Sequence, residues 1–265
     1  MILAVINQKG GAGKTTIALS IAAAMAAEGK RVLLVDTDPQ ATAQDWAAVR
    51  GEAPPMTVIG LAKPVLHRDL PALAESYDHV VIDGAPRNYE VARSAILAAD
   101  LVLIPVQPSG ADFWASRETV KLVGEATAFK ETQKAAFVVS RKIGRTTLGR
   151  EILEALEEFE LPVLKAGTAS RIAYAETMTA GTTVIESQPA GVAAQEVRAI
   201  LAEIEEMMAC PRTAAPRAAA PRAADPEPPV SSSLPPERAK PRRRHGSSSA
   251  TELRKSKFRR RRPRG

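Results

Sequence analysis

The chain has 265 residues, with 36 Lys and Arg against 30 Asp and Glu and a single cysteine, Cys210. That length holds one large domain or two small ones. One cysteine excludes an intrachain disulfide and any all-cysteine metal site, and it favours a reducing cytosol.

The charge is unevenly divided. Residues 211–265 carry sixteen basic and four acidic side chains, and residues 1–210 carry twenty and twenty-six, so an acidic body bears a basic tail. No apolar run approaches the ~20 residues needed to span a bilayer. The opening apolar run is too short for a signal peptide, so a soluble protein is expected.

In chain order, Ile2–Ile6 is a short β-branched run that predicts a buried strand. It leads into Lys9-Gly10-Gly11-Ala12-Gly13-Lys14-Thr15-Thr16, and an Ala-rich helical stretch over Thr15–Glu28 leads out. Glycine carries no Cβ, so such a loop closes tightly around an anion. Its N–H groups and the N-terminus of the following helix concentrate positive potential there. Lys14 is spaced to reach the β- and γ-phosphates, and the Thr15 hydroxyl to ligate Mg²⁺. The expectation is a site for ATP with Mg²⁺, lined by Gly10, Gly11, Ala12, Gly13, Lys14, Thr15 and Thr16. The loop departs from the ordinary G-x-x-x-x-G-K-[ST] pattern. Gln8 stands at the first glycine position, and Lys9 adds a second lysine.

Further apolar runs at Val32–Val35, Val80–Ile82, Leu101–Val106, Phe137–Val139, Val163–Leu164 and Val184–Ile185 read as strands covered on both faces. Helical stretches fall at about 41–49, 89–98, 113–129, 147–159 and 193–208. The alternation predicts an α/β fold, a doubly wound, mostly parallel sheet with helices on both faces. The expected division is a folded ATPase domain over 1–209 and a tail over 210–265.

Ligands of such sheets lie beyond the carboxyl ends of the strands. Those ends read D-T-D-P-Q at 36–40, D-G-A-P at 83–86 and Q-P-S at 107–109. Mg²⁺ keeps several waters and takes one or two carboxylates. Asp83, closing an apolar strand, fits the ligand of a metal-bound water, and Asp36 is the second carboxylate near the metal. Asp38 sits farther out, where it would hold an attacking water in line with the γ-phosphate.

The loop with Lys9, D-T-D-P-Q at 36–40 and V-V-I-D-G-A-P at 80–86 together resemble the ParA/MinD family of deviant phosphate-loop ATPases. I-P-V-Q-P-S at 104–109, S-R-K-I at 140–143 and R-I-A-Y-A-E-T at 171–177 extend the likeness over about residues 1–208. They point to the small ParF-like partition ATPases, which lack an N-terminal helix-turn-helix domain.

The resemblance implies that Lys9 is the signature lysine, which crosses an ATP-bound homodimer to the partner's phosphates. A cation supplied in trans ties hydrolysis to assembly. It further implies that Lys9, Lys14 and Asp38 are catalytic and that hydrolysis is slow until an adaptor protein stimulates it. The ATP-bound dimer is then expected to bind DNA without sequence preference, in the cytoplasm on the nucleoid, and to drive plasmid or chromosome partitioning. The alternative is a positioning ATPase for a non-DNA cargo such as a protein array or microcompartment. An ATP-dependent ligase on the same fold would need a further small-molecule pocket and has no use for a basic tail. Ala41 stands where many relatives have glycine, with little consequence expected.

The 193–208 helix carries an apolar stripe of Val197, Ile200, Leu201, Ile204, Met207 and Met208, with glutamates elsewhere. It reads as core packing. Its acids oppose the anionic surface that MinD-type basic helices lie on, so no membrane contact is expected.

From Pro211 the chain turns to Pro, Ala and Arg, without the apolar periodicity of a packed core, and is expected to be disordered. Its basic blocks, with Arg242, Arg243, Arg244, Arg259, Arg260, Arg261 and Arg262, are the main candidates for DNA phosphate contact. On the body, Lys142, Arg145, Arg150 and Arg171 are further candidates. The three histidines show no metal-ligand spacing.

Overall fold

The computed structural model describes residues 1–142 and 147–210. Arg145, the side chain of Arg150 and the basic tail from Pro211 lie outside the described residues.

Seven strands form one sheet: β1 (Ile2–Val5), β2 (Val32–Asp36), β3 (Thr57–Gly60), β4 (His79–Asp83), β5 (Leu101–Val106), β6 (Lys134–Lys142) and β7 (Val163–Ala169). Their order is β3-β2-β4-β1-β5-β6-β7, and every pairing is parallel. Parallel strands need crossovers. These are α1 (Lys14–Ala27), α2 (Thr42–Val49), α3 (Leu66–Ala74), α4 (Tyr89–Ala98), α5 (Gly110–Thr127) and α6 (Thr147–Glu157). After β7 come α7 (Ile172–Thr179), α8 (Val184–Ser187) and α9 (Val192–Ala209).

Side chains alternate faces along a strand, and the two faces make two cores. Leu3 and Val5 of β1 pack with α1, α2, α7, α8 and α9. Ala4 and its neighbour Ile6 pack with α3, α4, α5 and α6. β1 and β5 are covered on both sides, which accounts for their uninterrupted apolar sequence. The phosphate loop emerges from β1, in the middle of the sheet, so strands on either side can deliver side chains to it.

Three elements differ from the sequence expectation. Val184–Ile185 is not a strand but the start of α8. Thr183 and Glu186 cap that turn reciprocally, and Trp46 and Arg50 anchor it by donating to the Thr182 and Gly181 carbonyls at 2.9 Å each. β3 is a short, half-exposed edge strand without the apolar run that marks the others. α3 carries Pro71 inside it, which hid the helical pattern because proline normally breaks one.

Candidate nucleotide site

The loop after β1 is held from several directions before any ligand is considered. Asn7 donates its amide to the Pro105 carbonyl at 2.7 Å and accepts the Lys9 N–H at 2.9 Å. The Ser140 hydroxyl donates to the Ala12 carbonyl at 2.7 Å, and the Gln107 amide to the Gly11 carbonyl. Gly13 caps α1 at φ 95°, a left-handed conformation that an L side chain resists.

The Lys14 side chain is folded into the loop, its Nζ 2.9 Å from the Lys9 carbonyl. Burial pulls its pKa down, against the pull of Asp83 and Asp38. A buried ammonium held by one carbonyl and two nearby acids is poised to exchange them for phosphate oxygens.

The three acids occupy different environments. Asp36 and Asp83 are neighbours across β2 and β4. Asp36 accepts the backbone N–H groups of Asp38 at 3.0 Å, Ala43 at 3.0 Å and Gln44 at 3.3 Å. Both its oxygens are therefore engaged in holding the 36–44 turn and the start of α2. Neither oxygen of Asp83 has a hydrogen-bond partner in good geometry, and both are buried. Burial raises the Asp83 pKa to about 7, with the Thr15 hydroxyl opposing it. An unpartnered buried carboxylate calls for a cation or its water. Asp83 and Thr15 thus supply the all-oxygen donor set suited to Mg²⁺, and they would hold that ion through Thr15 Oγ1 and a water on Asp83. Asp38 is partly exposed at the rim, with one oxygen accepting Gln40 N–H at 2.9 Å.

Thr37 joins the two acidic strand ends. Its hydroxyl donates to the Asp83 carbonyl at 2.7 Å and accepts the Ala85 N–H at 2.9 Å. Its own N–H donates to the same carbonyl at 3.0 Å. Gly84 belongs to this packing, because a Cβ there would lie 2.8 Å from the Val5 carbonyl oxygen.

Lys9 makes an ion pair with Asp112 of α5. Asp112 is buried, donates its N–H to the hydroxyl of Ser109, the α5 N-cap, and accepts the Ser109 hydroxyl on the oxygen that meets Lys9. Its other oxygen has no partner. Gln8 is buried beneath the loop with neither side-chain amide atom bonded, and its N–H donates to Thr119 at 3.3 Å.

Beside the loop lies a cavity of about 460 Å³, walled by Gly13, Thr16 and Ile17, by Ser140 and Arg141 near the end of β6, by Thr168–Arg171, and by Tyr174, Ala175 and Met178 of α7. Its walls mix flat apolar surface with hydroxyl and backbone polar groups, the composition that small-molecule sites favour.

The expected loop residues and the three acids all converge at this edge of the sheet. Among the surface cations, Arg171 is bonded to Glu196 through Nε at 2.9 Å and Nη2 at 2.7 Å. Lys142 donates to the Lys165 carbonyl at 3.2 Å. Both are thus engaged within the fold.

Sequence reasoning missed Asp112, Ser140 and, of the cavity walls, Ile17, Arg141, Thr168, Ala169, Ser170, Tyr174, Ala175 and Met178 as site components. Q-P-S at 107–109, just before Asp112, was read as a strand end without the acid beyond it, and S-R-K around Ser140 stood out only as family likeness.

A phosphate-cradling loop at the centre of an all-parallel sheet, with acids at the flanking strand ends, defines a phosphate-loop nucleotide-binding protein. Residues 3–183 match the CobQ/CobB/MinD/ParA nucleotide binding domain family. The chain is 33% identical over 208 residues to the maintenance of carboxysome distribution protein A of Halothiobacillus neapolitanus, covering 76% of this chain and 95% of the relative. It is 29% identical over 238 residues to the chromosome-partitioning ATPase Soj of Thermus thermophilus, covering 76% and 94%. The septum site-determining protein MinD of Pyrococcus horikoshii, solved with Mg-ADP, superposes with a TM-score of 0.62 at 20% identity, over 78% of this chain and 97% of that one. The chain belongs to the CobQ/CobB/MinD/ParA family, in its ParA/MinD group of phosphate-loop ATPases.

Proposed function

We propose that this chain is an ATP-driven positioning switch. It binds Mg-ATP, pairs with a second copy, contacts DNA without sequence preference and lets go on hydrolysis stimulated by an adaptor protein. The observation that carries this reading is the second lysine. Lys9 lies within the phosphate loop yet is paired with Asp112 of α5, which supports a role at a partner's site rather than at its own.

In this reading Lys14 and the loop N–H groups hold the phosphates. Asp36 fixes the turn that presents Asp38, and Asp38 orients the attacking water. Bound Mg²⁺ would neutralise charge developing on the β- and γ-phosphate oxygens. Lys9 delivered from the partner subunit completes the charge that the transition state needs.

The relative that is 33% identical is named for carboxysome distribution, which favours a large protein assembly as cargo. The match to a chromosome-partitioning ATPase supports the second reading, a DNA cargo. No helix among the described residues is long and apolar enough to cross a membrane.

Co-sedimentation of the full chain with DNA in ATP, ADP or no nucleotide tests the switch. Retention is expected with ATP alone, and Asp38→Ala should prolong it by blocking hydrolysis. Equal retention in all three conditions overturns the switch.

A further inference from the structure

The C-terminal helix α9 looks like a packing element, and most of it is. One face, however, carries two carboxylates that reach across to β7. This strand lies at the edge of the sheet, where its outer N–H groups have no neighbouring strand. Glu203 accepts two of them, Lys165 N–H at 2.8 Å and Ala166 N–H at 2.7 Å. That is edge protection, a structural task.

Glu196, two turns earlier, does more. It accepts the Ala169 N–H at 3.2 Å, the Arg171 guanidinium at 2.9 and 2.7 Å, and the Tyr174 hydroxyl at 3.0 Å. All three donors belong to the outer wall of the cavity beside the phosphate loop. Tyr174 is itself buried, and its hydroxyl is shared between Glu196 and the Ala193 carbonyl, 3.2 Å away. Arg171 would be free to swing across the cavity mouth without its carboxylate. One charged group on α9 thus ties three points of the 169–174 wall together, while Ser170 N–H is held separately by the Lys142 carbonyl at 3.0 Å.

We infer that Glu196 is a positioning residue for the nucleobase: by holding Ala169, Arg171 and Tyr174 it pre-forms the wall against which a purine attached to the loop-bound phosphates lies. This rests on the nucleotide reading above, because the cavity opens onto Gly13 and Thr16 of the loop. A ready-made wall removes the ordering cost that a mobile segment would meet on binding. The contribution therefore falls on the base and leaves the phosphates untouched.

The test is calorimetric titration of the full chain with Mg-ATP and, separately, with Mg-tripolyphosphate, which has no base. Glu196→Ala should weaken ATP about tenfold and leave tripolyphosphate unchanged. Glu196→Gln keeps an acceptor for Tyr174 but loses the charge that holds Arg171, and should fall between. It also carries the test if the alanine variant does not fold. Glu203→Ala, the structural control, should lower the melting temperature without changing the ratio of the two affinities. Ala175→Trp, which fills the cavity, should weaken ATP alone.

An unchanged affinity ratio in the Glu196 variants, or an equal change in Glu203→Ala, overturns the role of Glu196. If Ala175→Trp binds ATP normally, the base lies elsewhere and the inference falls with the cavity. If the unaltered chain binds neither compound, the nucleotide reading itself fails.

Discussion

Lys9 and Asp112 form an ion pair within one chain across 103 residues of sequence. The aspartate side chain is 1% exposed and the lysine side chain 32%, so the acid is committed to the interior while the cation remains within reach of solvent. A buried carboxylate deprived of its cation is strongly destabilised. In the proposed dimer, Lys9 would leave for a partner's phosphates only when those phosphates attract it more than Asp112 does.

Weakening that seat should ease assembly. Asp112→Asn is expected to lower the ATP concentration needed for self-association by about tenfold, a shift of ~1.4 kcal/mol, read by light scattering. Lys9→Ala should destabilise the nucleotide-free chain by about 1–3 kcal/mol, because it strands a buried acceptor. Wild-type association in the first and wild-type melting in the second would show the pair to be idle.

Asp83 gives an opposite sign. Its unpartnered, buried oxygens make it a burden in the empty protein. Asp83→Asn should raise the stability of the nucleotide-free chain by ~1 kcal/mol while abolishing the further stabilisation that Mg-ATP gives the wild type. Thermal melts with and without Mg-ATP report both effects, and a destabilised empty variant would contradict the assignment.

Far from the loop, Asp78 accepts the Arg31 N–H at 2.8 Å and the Arg31 guanidinium at 2.9 Å. The Arg31 side chain and backbone lower its pKa from 3.8 to about 2. The folded value lies below the unfolded one, so the contribution is present above pH ~4 and lost as pH falls through ~2. In Asp78→Asn the acid limb of the stability curve should be flatter over that window, by denaturant titration at successive pH values.

Ala41 sits at φ 56°, ψ 32° at the N-cap of α2. The sequence suggested little consequence for an alanine at this position, but a left-handed L residue is strained by about 1–2 kcal/mol. Glycine relieves the strain and gives part of it back as unfolded-state entropy. Ala41→Gly should therefore stabilise the chain by ~1 kcal/mol, measured as a shift in denaturant midpoint. A destabilised variant would show that the turn is held by other means.

The sheet was legible because β1, β2, β4 and β5 are buried on both faces and written in unbroken apolar residues. The loop was legible because phosphate chemistry demands glycines and a lysine at fixed spacing. β3 escaped notice because an edge strand needs apolar residues on only part of its surface. The two-residue run Val184–Ile185 misled because burial alone does not distinguish a strand from one turn of helix. Only the reciprocal caps of Thr183 and Glu186 do. Asp112 and Glu196 could not be found by pattern. Each acts on a segment distant in sequence, and the fold alone brings them together.

Thr37 ties two strand ends together. With its hydroxyl engaged on both sides, the segment bearing Asp38 and the one bearing Asp83 are riveted into a single plate. A movement of either acid-bearing segment must break these bonds or take the other segment with it.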